Sequence, residues 1–261
     1  MIVEACEITV RRGGADVVRG VSLTARPGEV LGVIGPNGAG KTSVLRALCG
    51  LDPLVSGQVT YGGRTAQEIG RSAFGRTLAY LAQGGRIHWP LRVAEVVALG
   101  RLPHGAAEAD AAVARAMAAA DVEGLRDRTV GTLSGGERAR VLIARALAVE
   151  APILLADEPV AALDPYHQLQ VMELLRTGAR TGTAVITVLH DLTLAARFCD
   201  RLILLKDGRA LVQGPPSEVL QPDQMAHAYG VTVETGVRDG EPFILPWRRC
   251  GVPRPLQETS P

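Results

Sequence analysis

Three features are scarce in this sequence: cysteine, net charge and long hydrophobic runs. The four cysteines lie far apart and form no C-x-x-C pair, which argues against a zinc site or a disulfide framework. Lys+Arg 28 nearly balances Asp+Glu 27, so the net charge of +1 excludes a strongly basic nucleic-acid-binding protein. The most apolar stretch, residues 141–156, is interrupted by Arg145 and Glu150. No run approaches the ~20 apolar residues that a membrane-spanning helix needs.

The composition is that of a globular protein with one large domain or two small ones. Hydrophobic residues make up 47% of the 261 residues and charged residues 21%, which provides enough apolar material for a sizeable core. The chain starts with MIVEACEITVRRGG, which has early acidic residues and lacks the positive-then-apolar order of a signal peptide. We therefore expect a cytoplasmic chain that a partner would have to hold at any membrane where it works.

Short apolar runs indicate an α/β core. Two β-rich runs, residues 2–10 and 17–23, flank Gly13-Gly14 and predict an antiparallel hairpin. A buried-strand pattern at residues 29–34 is followed by a glycine-rich loop and then by helical spacing at residues 42–49. Further strands are predicted at residues 153–156, 184–189 and 202–205, with helices at residues 166–176 and 192–198. Such runs of Val, Ile and Leu are typical of parallel strands covered on both faces.

The middle and the end of the chain differ from this core. Between residues 83 and 150 helical patterns dominate, most clearly at residues 108–120 and 137–149, and we interpret this region as a helical insertion. After residue 214 the sequence becomes irregular. There we expect a small helix near residues 217–220 and an extended segment at residues 241–245.

The glycine-rich loop carries the strongest functional signal. It has the pattern G-x-x-x-x-G-K-T, in the place that a phosphate-binding loop requires, between a strand and a helix. Backbone N–H groups and the positive end of the helix dipole would point at phosphate oxygens, Lys41 would add a positive charge, and the Thr42 hydroxyl would ligate Mg²⁺. The candidate phosphate-binding residues are Gly35, Pro36, Asn37, Gly38, Ala39, Gly40, Lys41, Thr42 and Ser43.

The predicted strand at residues 153–156 runs into two acidic residues, Asp157 and Glu158. Asp157 would hold the shell of a Mg²⁺ ion through water, and Glu158 would polarise an attacking water. An ordinary pair of solvated carboxylates is the alternative, but the phosphate loop upstream favours nucleotide hydrolysis.

A second glycine pair also precedes a helix, in the sequence Leu-Ser-Gly-Gly-Glu. Its serine is placed as a helix cap, and the two glycines leave backbone N–H groups open to an anion. Because the chain already has one phosphate loop, we interpret this helix start as a contact to a γ-phosphate held by another copy. The residues concerned are Ser134, Gly135, Gly136 and Glu137.

Together these motifs resemble the nucleotide-binding subunit of an ATP-binding cassette (ABC) transporter, over nearly the whole chain. The resemblance implies roles for three more residues. Gln83 matches a glutamine that contacts Mg²⁺ and reports the nucleotide state to a membrane partner. Asp164 matches an aspartate in a loop that contacts the second subunit, and His190 matches a histidine that holds the γ-phosphate. The implied catalytic residues are Lys41, Glu158 and His190, and the implied Mg²⁺ ligands are Thr42, Gln83 and Asp157.

The resemblance also implies an architecture and partners. A RecA-like P-loop core with an antiparallel β edge would span residues 1–82 and 150–214, with a helical subdomain at 83–149 and a C-terminal extension at 215–261 of one ATPase domain. Two copies would sandwich two ATP·Mg²⁺ head to tail. The pair would work at the cytoplasmic face of the inner membrane with two transmembrane permease subunits and a substrate-binding protein, and without a nucleic acid partner.

The sequence departs from the family pattern at one position. An aromatic residue that stacks on adenine is usual where this chain has Arg12. The planar guanidinium of an arginine can also stack on a purine, and it can equally be a solvated charge. Both interpretations of Arg12 stay open from the sequence.

Two segments resemble the ATPases of iron–siderophore, haem and cobalamin importers. They are residues 87–105, and the ending that starts at Gly214 and includes Tyr229-Gly-Val. Simple packing helices with a stabilising tail are the alternative for both segments. The competing functions are a soluble cassette ATPase that acts on nucleic acid or ribosomes, a transporter ATPase with another substrate, and a non-hydrolysing regulatory module.

Overall fold

The computed structural model describes residues 1–85, 87, 90–105 and 109–251. The strands are β1 (Val3–Arg12), β2 (Ala15–Ala25), β3 (Val30–Ile34), β4 (Leu54–Tyr61), β5 (Leu78–Leu81), β6 (Ile153–Asp157), β7 (Ala184–Val188), β8 (Arg201–Lys206), β9 (Arg209–Gly214), β10 (Val231–Arg238) and β11 (Glu241–Arg249). The α-helices are α1 (Lys41–Leu48), α2 (Ala66–Ile69), α3 (Arg71–Thr77), α4 (Val93–Ala98), α5 (Ala109–Ala119), α6 (Gly135–Leu147), α7 (Pro165–Arg180), α8 (Leu192–Phe198), α9 (Pro216–Val219) and α10 (Pro222–Tyr229).

A six-stranded sheet with the order β5-β6-β7-β3-β8-β9 forms the centre of the molecule. The pairs β5–β6, β6–β7, β7–β3 and β3–β8 are parallel, and only β9 runs antiparallel to its neighbour. This confirms the predicted α/β class and the predicted strands of the core. Because parallel strands end at a common edge, the loops after β3, β6 and β7 lie side by side, where ligands bind in open α/β sheets.

Both faces of this sheet are buried, which explains the uninterrupted apolar runs. In β3, Val30 and Ile34 face a core shared with the helical region, whereas Leu31 and Val33 face a second core under the antiparallel strands. All five residues of β3, β6 and β7 are buried. Successive residues of these strands therefore pack into two different cores, instead of alternating between core and solvent.

A separate antiparallel sheet of order β2-β1-β4 covers the second core. Its β1–β2 pair is the predicted hairpin, with Gly13 and Gly14 at the turn in conformations of positive φ. The third strand, β4, was not predicted, because few of its residues are buried and Gly57 interrupts its pattern. The sheet also supports α1, since Val44, Leu45 and Leu48 lie in the core beneath it.

The predicted helices of the middle region are confirmed, whereas the prediction of an irregular C-terminal region is partly wrong. Helices α4, α5 and α6 pack on one another, and α5 and α6 match the predictions at 108–120 and 137–149, although Glu108 lies outside the described residues. Residues 216–249 are regular rather than irregular, because α9 is followed by α10 and by the β10–β11 hairpin. The hairpin is held to α8 by Thr193, whose hydroxyl donates to the Ile244 carbonyl at 2.8 Å.

The 3₁₀ turn at Leu99–His104 packs closely on α6, which leads to a stability prediction. A Cβ added at Gly100 would lie 2.2 Å from the Arg145 carbonyl oxygen and 3.0 Å from the Ala148 Cβ. We expect Gly100→Ala to lower the free energy of unfolding by about 1–3 kcal/mol through overpacking. Gly178→Ala in α7 is the matched control, because an added Cβ there meets nothing within 4 Å. In urea denaturation, the free energy of unfolding of the control should rise by roughly 0.5–1 kcal/mol. An equal decrease in both variants would contradict the overpacking at Gly100.

Candidate active site

The phosphate loop leads from β3 into α1 and leaves the helix start uncapped. Gly40 occupies the cap position with a φ of 97°, and a Cβ there would lie 2.5 Å from the Val17 carbonyl oxygen. Among the described residues, no side chain caps the N–H groups of the first turn. These donors, together with the positive end of the helix dipole, form a binding site for an anion.

Lys41 is the first residue of α1 and is almost fully buried, with 6% of its surface exposed. Its Nζ donates to the carbonyl oxygens of Gly35 at 2.7 Å and Pro36 at 3.0 Å. Burial lowers the pKa of the Lys41 ammonium, while the carboxylates of Glu158 and Asp157 raise it. The loop therefore holds a positive charge at its own centre, where phosphate oxygens can replace the carbonyl oxygens.

Thr42 and Asp157 meet across the site although 115 residues separate them in the chain. The Thr42 hydroxyl donates to Asp157 Oδ1 at 3.2 Å, and the Tyr80 hydroxyl lies 3.5 Å from Asp157 Oδ2. Asp157 is 1% exposed, and burial raises the pKa of its carboxyl group. A buried carboxylate of this kind is stabilised by a cation.

Glu158 and His190 form a second pair beside the first. They follow β6 and β7, and because Asp157 is in register with Val188 in this parallel pair, the residues after each strand lie close together. Glu158 Oε1 lies 2.6 Å from His190 Nε2. Glu158 is mostly buried and His190 is nearly half exposed, so the pair lies where the site opens to solvent.

A cleft of about 400 Å³ opens next to these carboxylates. Its lining includes Gln83, Asp157 and Glu158 from the ends of strands, and Gly135 at the start of α6. Gln83 is exposed at this cleft, in the connection from β5 to the helical region. The arrangement brings the predicted glutamine to the Asp157–Glu158 pair.

The start of α6 is a complete capping box. Ser134 Oγ accepts from the Glu137 N–H at 3.2 Å, and Glu137 Oε2 accepts from the Ser134 N–H at 2.8 Å. Arg128 binds Glu137 at 3.1 Å. A Cβ added at Gly135 would meet nothing within 4 Å, so the N-terminal end of α6 is open at this residue.

Asp164 caps α7 and is also bonded to a histidine. Its Oδ1 accepts from the His167 N–H at 3.0 Å, and its Oδ2 lies 2.8 Å from His167 Nδ1. These bonds to His167 lower the pKa of the Asp164 carboxyl. A Cβ at Gly136 would lie 3.9 Å from the Ala162 carbonyl oxygen, so the start of α6 adjoins the loop before Asp164.

Arg12 is ion-paired, which neither sequence interpretation anticipated. Its Nη2 lies 2.5 Å from Asp52 Oδ2, and Arg46 of α1 binds the same carboxylate at 3.1 Å. Asp52 is 8% exposed, whereas the Arg12 side chain is 43% exposed. The pair fixes the guanidinium and leaves much of it accessible to a ligand.

Three polar residues at these sites were missed from the sequence. Tyr80 lies in a short apolar strand, His167 two residues after a proline, and Asp52 in a loop. No motif marks a lone tyrosine, histidine or aspartate, and each contacts a motif residue only after folding. The one available signal was for His167, since a side chain three residues after a helix cap lies next to that cap.

The geometry is that of a P-loop ATPase, with a phosphate loop, a buried carboxylate and a carboxylate–histidine pair at the edge of a parallel sheet. A family model described as ABC transporter matches residues 18–161. The chain belongs to the ABC transporter family, and within that family it is an ATP-binding, ATP-hydrolysing cassette.

Characterised relatives cover most of the chain. A hemin import ATP-binding protein of Pseudomonas aeruginosa is 45% identical, over 91% of this chain and 97% of that protein. A cobalamin import ATP-binding protein of Halobacterium salinarum is 40% identical, over 90% of this chain and 61% of that protein. A dimeric ATP-binding cassette in a post-hydrolysis state, bound to ADP and phosphate, superposes with a TM-score of 0.73 and 28% identity, over 82% of this chain and 98% of that one.

No helix in the described part of the chain combines the length and the apolarity that crossing a bilayer requires.

The fixed position of the Arg12 guanidinium leads to a prediction about adenine binding. If the fixed guanidinium stacks on adenine, Arg12→Ala should weaken ATP binding by about 0.5–2 kcal/mol, and Arg12→Tyr should restore it. Equilibrium titration with a fluorescent ATP analogue measures both. Arg11→Ala is the matched control, because Arg11 is paired with Asp16 instead. Unchanged affinity in Arg12→Ala would show that the Asp52 pair is structural only.

Proposed function

We propose that this chain is the ATP-hydrolysing subunit of an importer for haem or a related iron–siderophore or cobalamin-type substrate. One observation carries the hydrolytic part: Lys41, Thr42, Asp157, Glu158 and His190 converge at the carboxyl ends of β3, β6 and β7. The relatives that import hemin and cobalamin support the importer part and the class of substrate.

ATP binds with its β- and γ-phosphates against the loop from Gly35 to Ser43. Lys41 exchanges its two carbonyl partners for phosphate oxygens. This exchange is favourable because hydrogen bonds between charged groups are stronger than hydrogen bonds to neutral carbonyls. The open N–H groups of the first turn of α1 bind further phosphate oxygens. Arg12 lies against the base.

The residues around Asp157 fit a Mg²⁺ ion bound together with nucleotide. A hydroxyl and a buried carboxylate, 3.2 Å apart, are hard oxygen ligands. In the described ranges, no group of three or more His, Cys, Asp or Glu side chains is arranged to hold a metal ion. Mg²⁺ commonly binds through one or two carboxylates, waters and substrate phosphates, and we assign Thr42, Asp157 and Gln83 to it. When bound, the ion neutralises phosphate charge.

Hydrolysis requires a water aligned with the γ-phosphate. Glu158 accepts a hydrogen bond from this water and orients it, while His190 donates to a γ-phosphate oxygen. Glu158 Oε1 and His190 Nε2 lie 2.6 Å apart, so the group that orients the water and the group that binds the γ-phosphate are neighbours.

Each nucleotide site is completed by a second copy of the chain. The helix start at Ser134, Gly135, Gly136 and Glu137 offers the N–H groups of its two glycines, since the capping box uses those of Ser134 and Glu137. Asp164 lies on the adjoining loop. A solved relative of the same fold is dimeric with ADP and phosphate bound. Two copies related by a two-fold axis would close over two ATP molecules and open after hydrolysis.

The permease docks at the cleft and at residues 87–105, of which His88 and Trp89 lie outside the described residues. Gln83 lines this cleft beside Asp157, so nucleotide-dependent shifts reach the membrane partner directly. Leu102 lies in this segment and is 74% exposed, so we place it on the docking face. Two permease subunits hold the ATPase pair at the cytoplasmic face of the inner membrane, and a substrate-binding protein delivers the cargo.

Glu158→Gln should arrest the cycle with ATP bound. The amide keeps the shape of the side chain but cannot act as a base, so ATP binding should persist while turnover stops. Size-exclusion chromatography with ATP and Mg²⁺ should then show a stable dimer. Adding Lys41→Ala to this variant should abolish the dimer, because nucleotide binding is lost. A Glu158→Gln variant that stays monomeric and hydrolyses ATP at the wild-type rate would contradict the role of Glu158 in orienting the water.

Leu102→Glu should prevent assembly with the permease and leave ATP binding unchanged. Val237→Glu is the matched control, because Val237 is 72% exposed on the C-terminal hairpin. The measurement is co-purification of each tagged variant with the permease encoded nearby. It is followed by ATPase assays in nanodiscs with the loaded binding protein, comparing haem, cobalamin and ferric siderophores.

The expected result is stimulation of ATPase activity by one of these substrates in the control and in the unmodified chain, and none in Leu102→Glu. Recovery of ribosomes or DNA with the tagged chain, and of no membrane protein, would replace the importer with the soluble alternative. Stimulation only by a different substrate class would agree with a transporter function and contradict the proposed class of substrate.

A further inference from the structure

The β1–β2 hairpin lies alongside α1, the helix that follows the phosphate loop. The hairpin comes close to the start of this helix, since a Cβ added at Gly40 would lie 2.5 Å from the Val17 carbonyl oxygen. Just beyond the other end of the helix, Arg12 Nη2 lies 2.5 Å from Asp52 Oδ2. The hairpin therefore contacts the phosphate-binding helix near both of its ends.

Asp52 is held on α1 by one residue of that helix, Arg46. The Leu51 N–H donates to the Arg46 carbonyl at 2.9 Å, and the Asp52 N–H donates to the same carbonyl at 3.4 Å. The Arg46 guanidinium donates to Asp52 Oδ1, from Nη2 at 3.1 Å and from Nε at 3.2 Å. Backbone and side chain of Arg46 thus fix an aspartate that is nearly buried, through contacts that do not involve Arg12.

This anchor places the Arg12 guanidinium at a defined distance from the phosphate site. Lys41 and Thr42 lie in the first turn of α1, and Arg46 lies roughly 8 Å further along the helix axis than Lys41, at about 1.5 Å per residue. A nucleotide is long enough to extend from Lys41 to this end of the helix. The Arg12 side chain is nearly half exposed, so the part of its guanidinium that does not bind Asp52 is accessible to a base.

An arginine that binds a base gains affinity from such an anchor. A free arginine side chain is flexible, and it loses rotamer freedom when a ligand fixes it. The aromatic residue that is usual at this position in the family has fewer rotatable bonds and loses less. In this chain the ion pair with Asp52 restricts Arg12 on folding, so less freedom is lost when a nucleotide binds.

We propose that Asp52 is a positioning residue for the nucleotide base: held by Arg46 of α1, it fixes the planar guanidinium of Arg12 against adenine at a set distance from Lys41. This inference rests on the proposed function, in which Arg12 lies against the base. It gives affinity for the base to an ion-paired cluster on the phosphate-binding helix, in place of a single aromatic side chain.

Asp52→Asn tests the proposal, because the amide keeps the size of the side chain and removes the charge that binds Arg12. We expect the dissociation constant for ATP to rise about 2- to 10-fold, within the range for a cation–π contact. Inorganic tripolyphosphate has no base, so its dissociation constant should not change. Isothermal titration calorimetry of the full chain in the presence of Mg²⁺ measures both constants.

Asp16→Asn is the matched control, because Asp16 is ion-paired with Arg11 at the surface of the same hairpin, and ATP affinity should not change. A double variant shows whether Asp52 acts through Arg12. In an Arg12→Ala background, Asp52→Asn should cause no further loss of ATP affinity, since the group that it positions has been removed. Arg46→Gln keeps the bond between Asp52 and Arg12 and removes the anchor, so it should weaken binding of ATP and not of tripolyphosphate.

Equal weakening of ATP and tripolyphosphate binding by Asp52→Asn would overturn the proposal in favour of a structural role in α1. Unchanged ATP affinity in both Asp52→Asn and Arg46→Gln, or additive losses in the double variant, would overturn it as well. These outcomes leave the proposed function intact, because they concern the base and not the phosphates. If the unmodified chain fails to bind ATP, or if Lys41→Ala binds it equally well, the proposed function itself fails instead.

Discussion

The parallel pairing of β6, β7 and β3 determines where the polar groups of the site lie. Hydrogen bonds between these strands fix Asp157 opposite Val188 and Val188 opposite Val33, so that three loops leave the sheet together. A slip of one residue in either pair would move each side chain to the opposite face of the sheet. The apolar side chains that bury both faces therefore also fix the distance between Thr42 and Asp157.

Two charged groups, Lys41 and Asp157, are buried at this edge of the sheet. Lys41 and Asp157 are both nearly inaccessible, and burial shifts the pKa of each toward its neutral form. Their close partners are backbone carbonyls and hydroxyls rather than fully opposite charges. A ligand that brings both phosphate and a cation would compensate both groups at once, in agreement with the metal–nucleotide complex of the proposed function.

The sequence predicted the core well because its signals are local. Runs such as Ile153–Asp157 and loops such as the one before Lys41 can be recognised without knowing what they contact. Strands β4 and β9 were missed since most of their residues are exposed and apolar periodicity is weak. The hairpin at the C-terminal end was missed for a similar reason, with few buried residues in β10 and β11. Contacts such as Arg12 with Asp52 depend on tertiary packing that no motif records.

The start of α6 lies beside the loop that leads to Asp164. In the two-fold pair of the proposed function, each chain would give half of one site and receive half of the other. Damage to the donated half of one copy would then impair a phosphate loop that is itself intact. In genetic terms, an allele altered at Ser134 would behave as dominant over a normal allele expressed in the same cell, since mixed pairs would carry one impaired site each.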